Sequence, residues 1–392
     1  MKEKKKMAII CSTDYTSYPM GGMMSFILDS LPYLKDDFDI TLWGVTTNEN
    51  SMEYIKVHDE LYPFKSFSNV KIEKKIIPNL VRVSYNIWKN KKKILRDNYD
   101  ILYIHGIPLS FPFFNRNVKV VNHIHGMTNP FSMTANKMAR NGISINLYEK
   151  YRDWIVKKSD LILLASDKQG HLEFSSRYPN EAYKIKYIPN FADQNIFQYI
   201  DKKNARKKLD IDINETVFVN TGRISLQKDP ILLVESFIFY IKHLGGEAKL
   251  IVIGDGELRS EVESLAKKEG LEEKIVITGK INREKINLWL NAADSYIYTS
   301  HANGFPISLA EAATCGLPII TTDVTGVHDL VINNKTGFLV DKREPKKIAK
   351  AIAKALEDRD RLSRNIYEIS KNFMPKLILD KMNNYLLSVI EK

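Results

Sequence analysis

The sequence predicts an α/β protein of two doubly wound domains with a central cleft between facing strand ends. Three observations predict it. The 392 residues are 44% hydrophobic and 27% charged, which suits two soluble domains that each bury a core. Short β-branched runs alternate with amphipathic stretches, the rhythm of βαβ crossovers in a parallel sheet. Glycines and polar residues gather where strands hand over to helices, at the carboxyl ends where such sheets bind ligands.

In chain order, Met7–Cys11, Ile40–Trp43, Ile101–His105, Val118–Asn122 and Asp160–Leu164 read as strands of a first sheet. Polar Asp193–Leu209 reads as a linker into the second domain. There the strands are Thr216–Asn220, Lys249–Ile253, Lys274–Thr278, Ser295–Thr299, Pro318–Thr322 and Gly337–Val340. Between them, Pro230–His243, Glu257–Lys268, Arg283–Asn291, Pro306–Cys315 and Pro345–Glu357 have helical periodicity, with Gly270 and Gly316 as helix-ending glycines. Tyr367–Lys392 is helical through Phe373, Leu377, Met382, Leu386 and Ile390.

Composition excludes several classes. Two cysteines, Cys11 and Cys315, give neither a disulfide framework nor a CxxC motif, which fits a reducing compartment. No run of about 18 apolar residues spans a bilayer, and Met7–Cys11 is too short for a signal-peptide core of roughly 7–15 residues. The net charge of +11 is uneven: residues 1–190 hold 28 Lys+Arg against 19 Asp+Glu, residues 191–392 hold 30 against 28. A basic first half suits an anionic partner (nucleic acid, phosphorylated substrate or membrane), or simply a Lys-rich solvated surface.

Chemistry concentrates at strand ends. In Thr221-Gly222-Arg223-Ile224-Ser225-Leu226-Gln227-Lys228-Asp229-Pro230 a strand ends, a turn follows, and a helix opens with Asp229 as N-cap and Pro230 at N1. Arg223 and Lys228 there suit a diphosphate, unless they are plain surface cations. In Asn303 to Gly316, Gly304 permits close approach of a ligand and the helix near Pro306 offers free N–H groups to an anion. Glu311 stands among Ile, Leu, Ala and Cys, where ribose hydroxyls would satisfy it; the alternative is an exposed stripe. Gly254-Asp255-Gly256 is followed by Arg259 where a third glycine belongs, so GxGxxG fails and a nicotinamide dehydrogenase is disfavoured. There is also no GK[ST] loop and no DxD triplet near the crevice. Gly21-Gly22 follows the first strand, as a ligand-approach turn or a flexible loop. His105, His123 and His125 end two strands; hydrogen bonding to a polyol suits them better than zinc, with a core role open for His123.

Together these segments resemble the retaining glycosyltransferase family 4, of GT-B fold. The likeness is carried by "GRISLQKDP", the GDG stretch, "NGFPISLAEAATCGLPIITTDVTGVHDLV" as an E-x7-E region, "NNKTGFLVD", the early "GG", "HIHG" and "IPNFAD". It implies two Rossmann-like domains: 1–190 binding the acceptor, 191–371 binding a nucleotide-sugar donor, and a helix at about 372–392 returning to the first. By position it implies Arg223 and Lys228 on the donor pyrophosphate and Glu311 on the ribose. Backbone of Gly304, Phe305, Pro306, Ile307 and Ser308 would meet sugar and phosphates, and His125 would lie near the donor sugar. Gly21 and Gly22 would lie beside the β-phosphate and acceptor, and Gly254, Lys280 and Ile281 near the nucleotide. Asn303 replaces the first acid of E-x7-E; an amide bonds a hydroxyl but brings no negative charge.

The implied activity is a retaining, metal-independent hexosyl transfer from a UDP-sugar to a glycan or lipid-linked acceptor in cell-surface polysaccharide or glycoconjugate synthesis, with no resident cofactor. The competing classes are a GT-B nucleotide-sugar epimerase and a non-catalytic sugar-nucleotide-binding subunit, the latter favoured by Asn303. With no nucleic-acid motif, nucleic acid drops out as a partner. The segment Leu80–Asn98 interleaves Val81, Val83, Ile87, Trp88, Ile94 and Leu95 with Arg82, Lys89, Lys91, Lys92, Lys93 and Arg96. It reads as an interfacial anchor on anionic lipid or an ordinary amphipathic surface helix, and sets the expectation of a cytoplasmic enzyme docked on the inner leaflet.

Overall fold

The computed structural model describes residues 3–15, 21–46, 53–57, 59–69, 79–114, 117–126, 129, 141–301 and 304–391. The chain forms two compact units: Met1–Ser166 with His171–Pro189 and Lys376–Lys392, and Asp167–Gly170 with Asn190–Pro375.

The first unit is built on β1 (Lys5–Asp14), β2 (Phe38–Thr46), β3 (Tyr54–Val57), β4 (Glu60–Asn69), β5 (Ile101–His105), β6 (Lys119–Ile124), β7 (Leu161–Leu164) and β8 (Ile185–Tyr187). Their order is β3-β4-β2-β1-β5-β6-β7-β8, parallel except for the β3–β4 hairpin. Met7 to Cys11 are all fully buried, as a central parallel strand covered on both faces requires. Chain direction across the sheet reverses between β1 and β5, which opens a crevice at their carboxyl ends. The helices of this part of the chain are α1 (Gly22–Leu34), α2 (Asn79–Leu95), α3 (Gly142–Lys158) and α4 (Lys168–Arg177).

The second unit has a six-stranded parallel sheet: β9 (Val217–Thr221), β10 (Lys249–Ile253), β11 (Ile275–Gly279), β12 (Ser295–Tyr298), β13 (Ile319–Thr322) and β14 (Gly337–Val340), in the order β11-β10-β9-β12-β13-β14. Its helices are α5 (Lys202–Leu209), α6 (Pro230–Leu244), α7 (Arg259–Lys268), α8 (Arg283–Ala292), α9 (Ile307–Thr314), α10 (Pro345–Glu357) and α11 (Arg359–Ser370). Strand residues alternate between two cores. Phe218, Leu250, Val252, Ile297 and Ile320 pack with α6 and α10, whereas Val219, Ile251, Ile253, Tyr296 and Ile319 pack with α8 and α9. The expected strands and helices here fall within two residues of the observed ends.

The structure departs from or adds to the sequence reading at four places. The linker assigned to Asp193–Leu209 holds α5, whose buried Arg206 bonds Asp294 Oδ2 at 2.9 Å and the carbonyls of Ala292, Asp212 and Ile213. The β3–β4 hairpin went unread because its alternation is short and Pro63 interrupts β4. The C-terminal periodicity is two helices: α11, then α12 (Pro375–Ile390), broken at Met374, which is extended ahead of Pro375. The buried stripe of α12 is Ile378, Leu379, Met382, Leu386 and Val389, while Leu377 is exposed. Lastly, Val83, Ile87 and Ile94 of α2 face the core of the first unit, and among its described side chains Tyr85 and Trp88 are the exposed large hydrophobics. Among the described residues no helix is long and apolar enough to cross a membrane.

Candidate functional site

In the second unit successive parallel strands are added in opposite directions across the sheet from the β9–β12 pair. The connections leaving these two strands diverge and leave a crevice between them, the switch point where open α/β sheets take ligands. The connection after β9 carries Gly222–Asp229 and that after β12 carries Thr299–Pro306.

Interlocked turns build the rim. Gly222 and Ile224 donate to the carbonyls of Ile253 and Asp255 at 2.9 and 3.0 Å, and Leu258 donates back to Ile224 at 3.1 Å. Gly254 has φ +148, and a Cβ there would stand 1.8 Å from the Gly222 carbonyl oxygen. Packing of turn on turn therefore explains this glycine without a ligand. The same device recurs across β12 and β13, where a Cβ on Gly326 would lie 1.9 Å from the Gly304 oxygen.

On this rim Arg223 is exposed and has no hydrogen-bond or ion-pair partner among the described residues. Lys228 arches back over the turn. Its Nζ lies 3.3 Å from the Tyr298 hydroxyl and 5.1 Å from that ring's centre, and its Cε is 3.9 Å from where a Gly222 Cβ would be. Asp229 caps α6 as expected, accepting from the Leu232 amide at 3.2 Å from a left-handed conformation, φ +47.

Helix α9 points its amino end at the same edge. Pro306 is its cap and supplies no side-chain bond; Ile307 and Ser308 precede the first intrahelical donor, Leu309. Ser308 and Glu311 are half-exposed on one face, while Ile307, Leu309, Ala310, Ala312 and Ala313 are buried. Burial and then the charge of Glu311 push the Cys315 thiol well up, so that carboxylate stands close to the core. The Tyr296 hydroxyl ties β9 to α9, bonding Thr221 N at 3.0 Å and the Ser308 side chain. Phe305 is buried and its carbonyl accepts from Asn190 Nδ2 at 2.5 Å. Lys280 is exposed and Ile281 half-buried just past β11, after Gly279 (φ +70), which bridges to Gly254. Asn303 lies outside the described residues. Arg223, Lys228, Gly254, Lys280, Ile281, Gly304–Ser308 and Glu311 thus share one carboxyl edge of the sheet.

Gly21, Gly22 and His125 belong to the first unit, at the carboxyl ends of β1 and β6. Gly21 precedes α1 with φ −77, and a Cβ there would meet nothing among the described residues within 4 Å. His105, His123 and His125 form a stack: ring centres of His123 and His125 are 4.2 Å apart at 18°, those of His105 and His125 5.0 Å at 21°. His105 Nδ1 and His125 Nε2 share a hydrogen bond of 2.7 Å, and His123 Nδ1 one of 2.6 Å with the Tyr103 hydroxyl, which also reaches Met382 Sδ on α12. Burial holds all three imidazoles neutral, His105 and His123 well below the usual value and His125 pushed down to about 3. One nitrogen from each can be chosen so that all lie within 4.8 Å, and His105 Nε2, His123 Nε2 and His125 Nδ1 have no hydrogen-bond partner among the described residues. The bond to His105 Nδ1 and the stacking on His123 orient the His125 ring.

A group the sequence does not signal lies on the loop after β13. His328 sits between Asp167 Oδ2 and Asp323 Oδ1, both at 2.7 Å, and the buried Asp167 also accepts from the Gly326 amide at 2.7 Å. Burial pushes His328 down, but the two carboxylates outweigh it and its pKa is raised.

Two doubly wound parallel-sheet units, each with glycine-lined turns at its strand carboxyl ends, define a GT-B architecture. Over 99% of this chain and 100% of the other, the structure superposes with TM-score 0.83 on a sucrose-phosphate synthase from Thermosynechococcus elongatus, at 18% identity. Residues 201–373, the part of the chain that holds this crevice, match the family model for glycosyl transferases group 1. It is 27% identical over 220 residues to a D-inositol 3-phosphate glycosyltransferase of Xylanimonas cellulosilytica, covering 54% of this chain and about half, 52%, of that one. It is 25% identical over 313 residues to the UDP-Gal:alpha-D-GlcNAc-diphosphoundecaprenol alpha-1,3-galactosyltransferase of Escherichia coli, covering 76% of this chain and 78% of that one.

Proposed function

We propose that the protein is a retaining glycosyltransferase. It moves a hexose from a UDP-sugar to a glycan or lipid-linked acceptor, in making a cell-surface polysaccharide or glycoconjugate. The observation that carries the reading is Arg223, without a partner among the described residues, beside Lys228 at the switch point, on the same carboxyl edge as the amino end of α9. Cations held without a protein counter-charge at a sheet's ligand edge suit a diphosphate. A UDP-sugar donor and lipid-linked acceptor are proposed on the likeness to the galactosyltransferase, whose name specifies both.

In the proposed reaction the bond from the anomeric carbon to the diphosphate oxygen breaks and the acceptor oxygen bonds that carbon on the same face. The acceptor proton passes to the departing diphosphate. Arg223, Lys228 and the α9 amides stabilise the charge that grows there, Glu311 holds the ribose hydroxyls, and His125 lies beside the sugar. The cations and helix end take the role of a divalent ion. A panel of nucleotide sugars, read by thermal stabilisation and product anomer, tests this. UDP-sugars should stabilise and turn over with retention, undiminished by EDTA. Inversion, abolition by EDTA with rescue by Mn²⁺, or epimerised donor formed without acceptor would each overturn the corresponding part.

The proposed location is the cytoplasmic face of an anionic membrane, on a smaller footprint than the sequence suggests. Tyr85 and Trp88 stack at 6.0 Å on the exposed side of α2, and Lys91 lies 5.2 Å from the Trp88 ring. Ile143, Leu147 and Trp154 are exposed on α3, and Ser84 of α2 and Tyr151 of α3 bond the same Pro108 carbonyl. The protein should pellet with phosphatidylglycerol vesicles at low salt and be released as salt screens the lysines. Trp88→Ser with Trp154→Ser should abolish pelleting; pelleting unchanged by both would remove this surface from the account.

A further inference from the structure

We infer that Arg343 is a positioning residue of the donor site: it locks the cationic loop 227–229 to segment 299–301 and cancels the Asp229 charge beside Lys228. The inference rests on the reading of this crevice as a diphosphate site. Arg343 follows β14, far in sequence from the loops it joins, and nothing in its local sequence marks it.

Its guanidinium bonds four acceptors on three segments. Nη2 donates to Asp229 Oδ2 and to the Thr299 carbonyl, each at 2.6 Å; Nη1 donates to the Ser300 carbonyl at 3.2 Å and to Thr322 Oγ1 at 3.3 Å. The loops it clamps are also stitched directly. Thr299 Oγ1 donates to the carbonyls of Lys228 and Asp229 at 3.1 and 2.9 Å, while Ser300 Oγ and the His301 amide donate to Gln227 O, both at 2.9 Å. The distance between Lys228 and the start of α9 is thereby fixed at its root, and only a planar fork of donors can reach all these acceptors at once.

The second role is electrostatic. The Asp229 carboxylate is one residue from Lys228 at the edge proposed to receive a diphosphate. His301 Nε2 approaches it at 3.2 Å, but burial and then the Arg343 charge lower the His301 pKa, so at neutral pH Arg343 supplies the compensating charge. Without Arg343 the carboxylate would draw Lys228 towards itself and repel the ligand.

The test uses full-length Arg343→Met, Arg343→Lys, Asp229→Asn and the double variant Asp229→Asn with Arg343→Met. It reads calorimetric affinity for whichever of UDP, GDP and ADP the parent binds most tightly, together with melting temperature. Arg343→Met should weaken binding about 10–100-fold, and Asp229→Asn in that background should recover most of the loss, since Asn still caps α6. Arg343→Lys should fall between, pairing with Asp229 but not spanning the carbonyls. Binding within about twofold of the parent in Arg343→Met, or a loss that follows the melting temperature and that Asp229→Asn does not recover, overturns the inference. A parent that binds no nucleoside diphosphate removes the donor-site reading, and this inference with it.

Discussion

Lys228→Met should lower turnover of the nucleotide-sugar by about 10²–10³-fold with little change in stability, and Arg223→Met should do so to a similar degree. The size follows from where the charge is needed. A departing diphosphate gains negative charge as the glycosidic bond stretches, so a cation fixed beside it acts more strongly on the transition state than on the bound donor. The expected signature is a fall in kcat larger than the rise in KM. Neither cation holds the fold together: among the described residues Arg223 is exposed without a partner, and Lys228 makes one long hydrogen bond and one ring contact, both to Tyr298. Surface substitutions of this kind cost within about 0.5 kcal/mol. Steady-state kinetics and thermal melts on the same preparations separate the two effects. Turnover that is unchanged, or that falls only as far as the melting temperature does, would remove both residues from the site.

The fold was legible because its signals are local and repeated. Each βα unit of the second half has a short β-branched strand, a glycine or Asp-Pro boundary and an amphipathic helix, so Asp229, Gly270 and Gly316 could be assigned from their neighbours alone. The first half was harder to read where that regularity lapses, as in the hairpin Tyr54–Asn69 with its internal Pro63. The site divides in the same way. Arg223, Lys228 and Glu311 sit in contiguous motifs and could be named, whereas Arg343 and Asp167 act across 114 and 161 positions of chain and leave no local trace. Burial also cannot be read from periodicity alone. The apolar positions of α2 suggested an anchor, yet packing gives most of them to the core.

Acid should destabilise the first unit strongly, by about 4 kcal/mol between pH 7.5 and 5.5. Unfolded, His105, His123 and His125 would titrate near 6.5; folded, burial keeps them neutral far below that. The unfolded state therefore binds more protons throughout this window, and stability falls with pH by up to about 1.4 kcal/mol per unit for each imidazole. His105 and His123, fully buried, supply about 3 kcal/mol of the loss and His125 about 1 more. In the second unit His328 should respond with the opposite sign, while His301, whose pKa is lowered, follows the first unit. The raised pKa of His328 means that its bonds to Asp167 and Asp323 contribute fully below about 6.5 and are lost as pH rises through the folded value. Hydrogen exchange resolved by peptide can follow both units in one sample. Protection should fall in β1, β5 and β6 on acidification while the loop 323–328 gains it. His123→Phe, which keeps a ring beside Phe26 at 4.7 Å, should lessen the acid dependence of the first unit by about a third. A first unit equally stable at both pH values would mean that water or a cation reaches these imidazoles. The orienting role given to His105 and Tyr103 around His125 would then fail, because that role requires a dry stack of neutral rings.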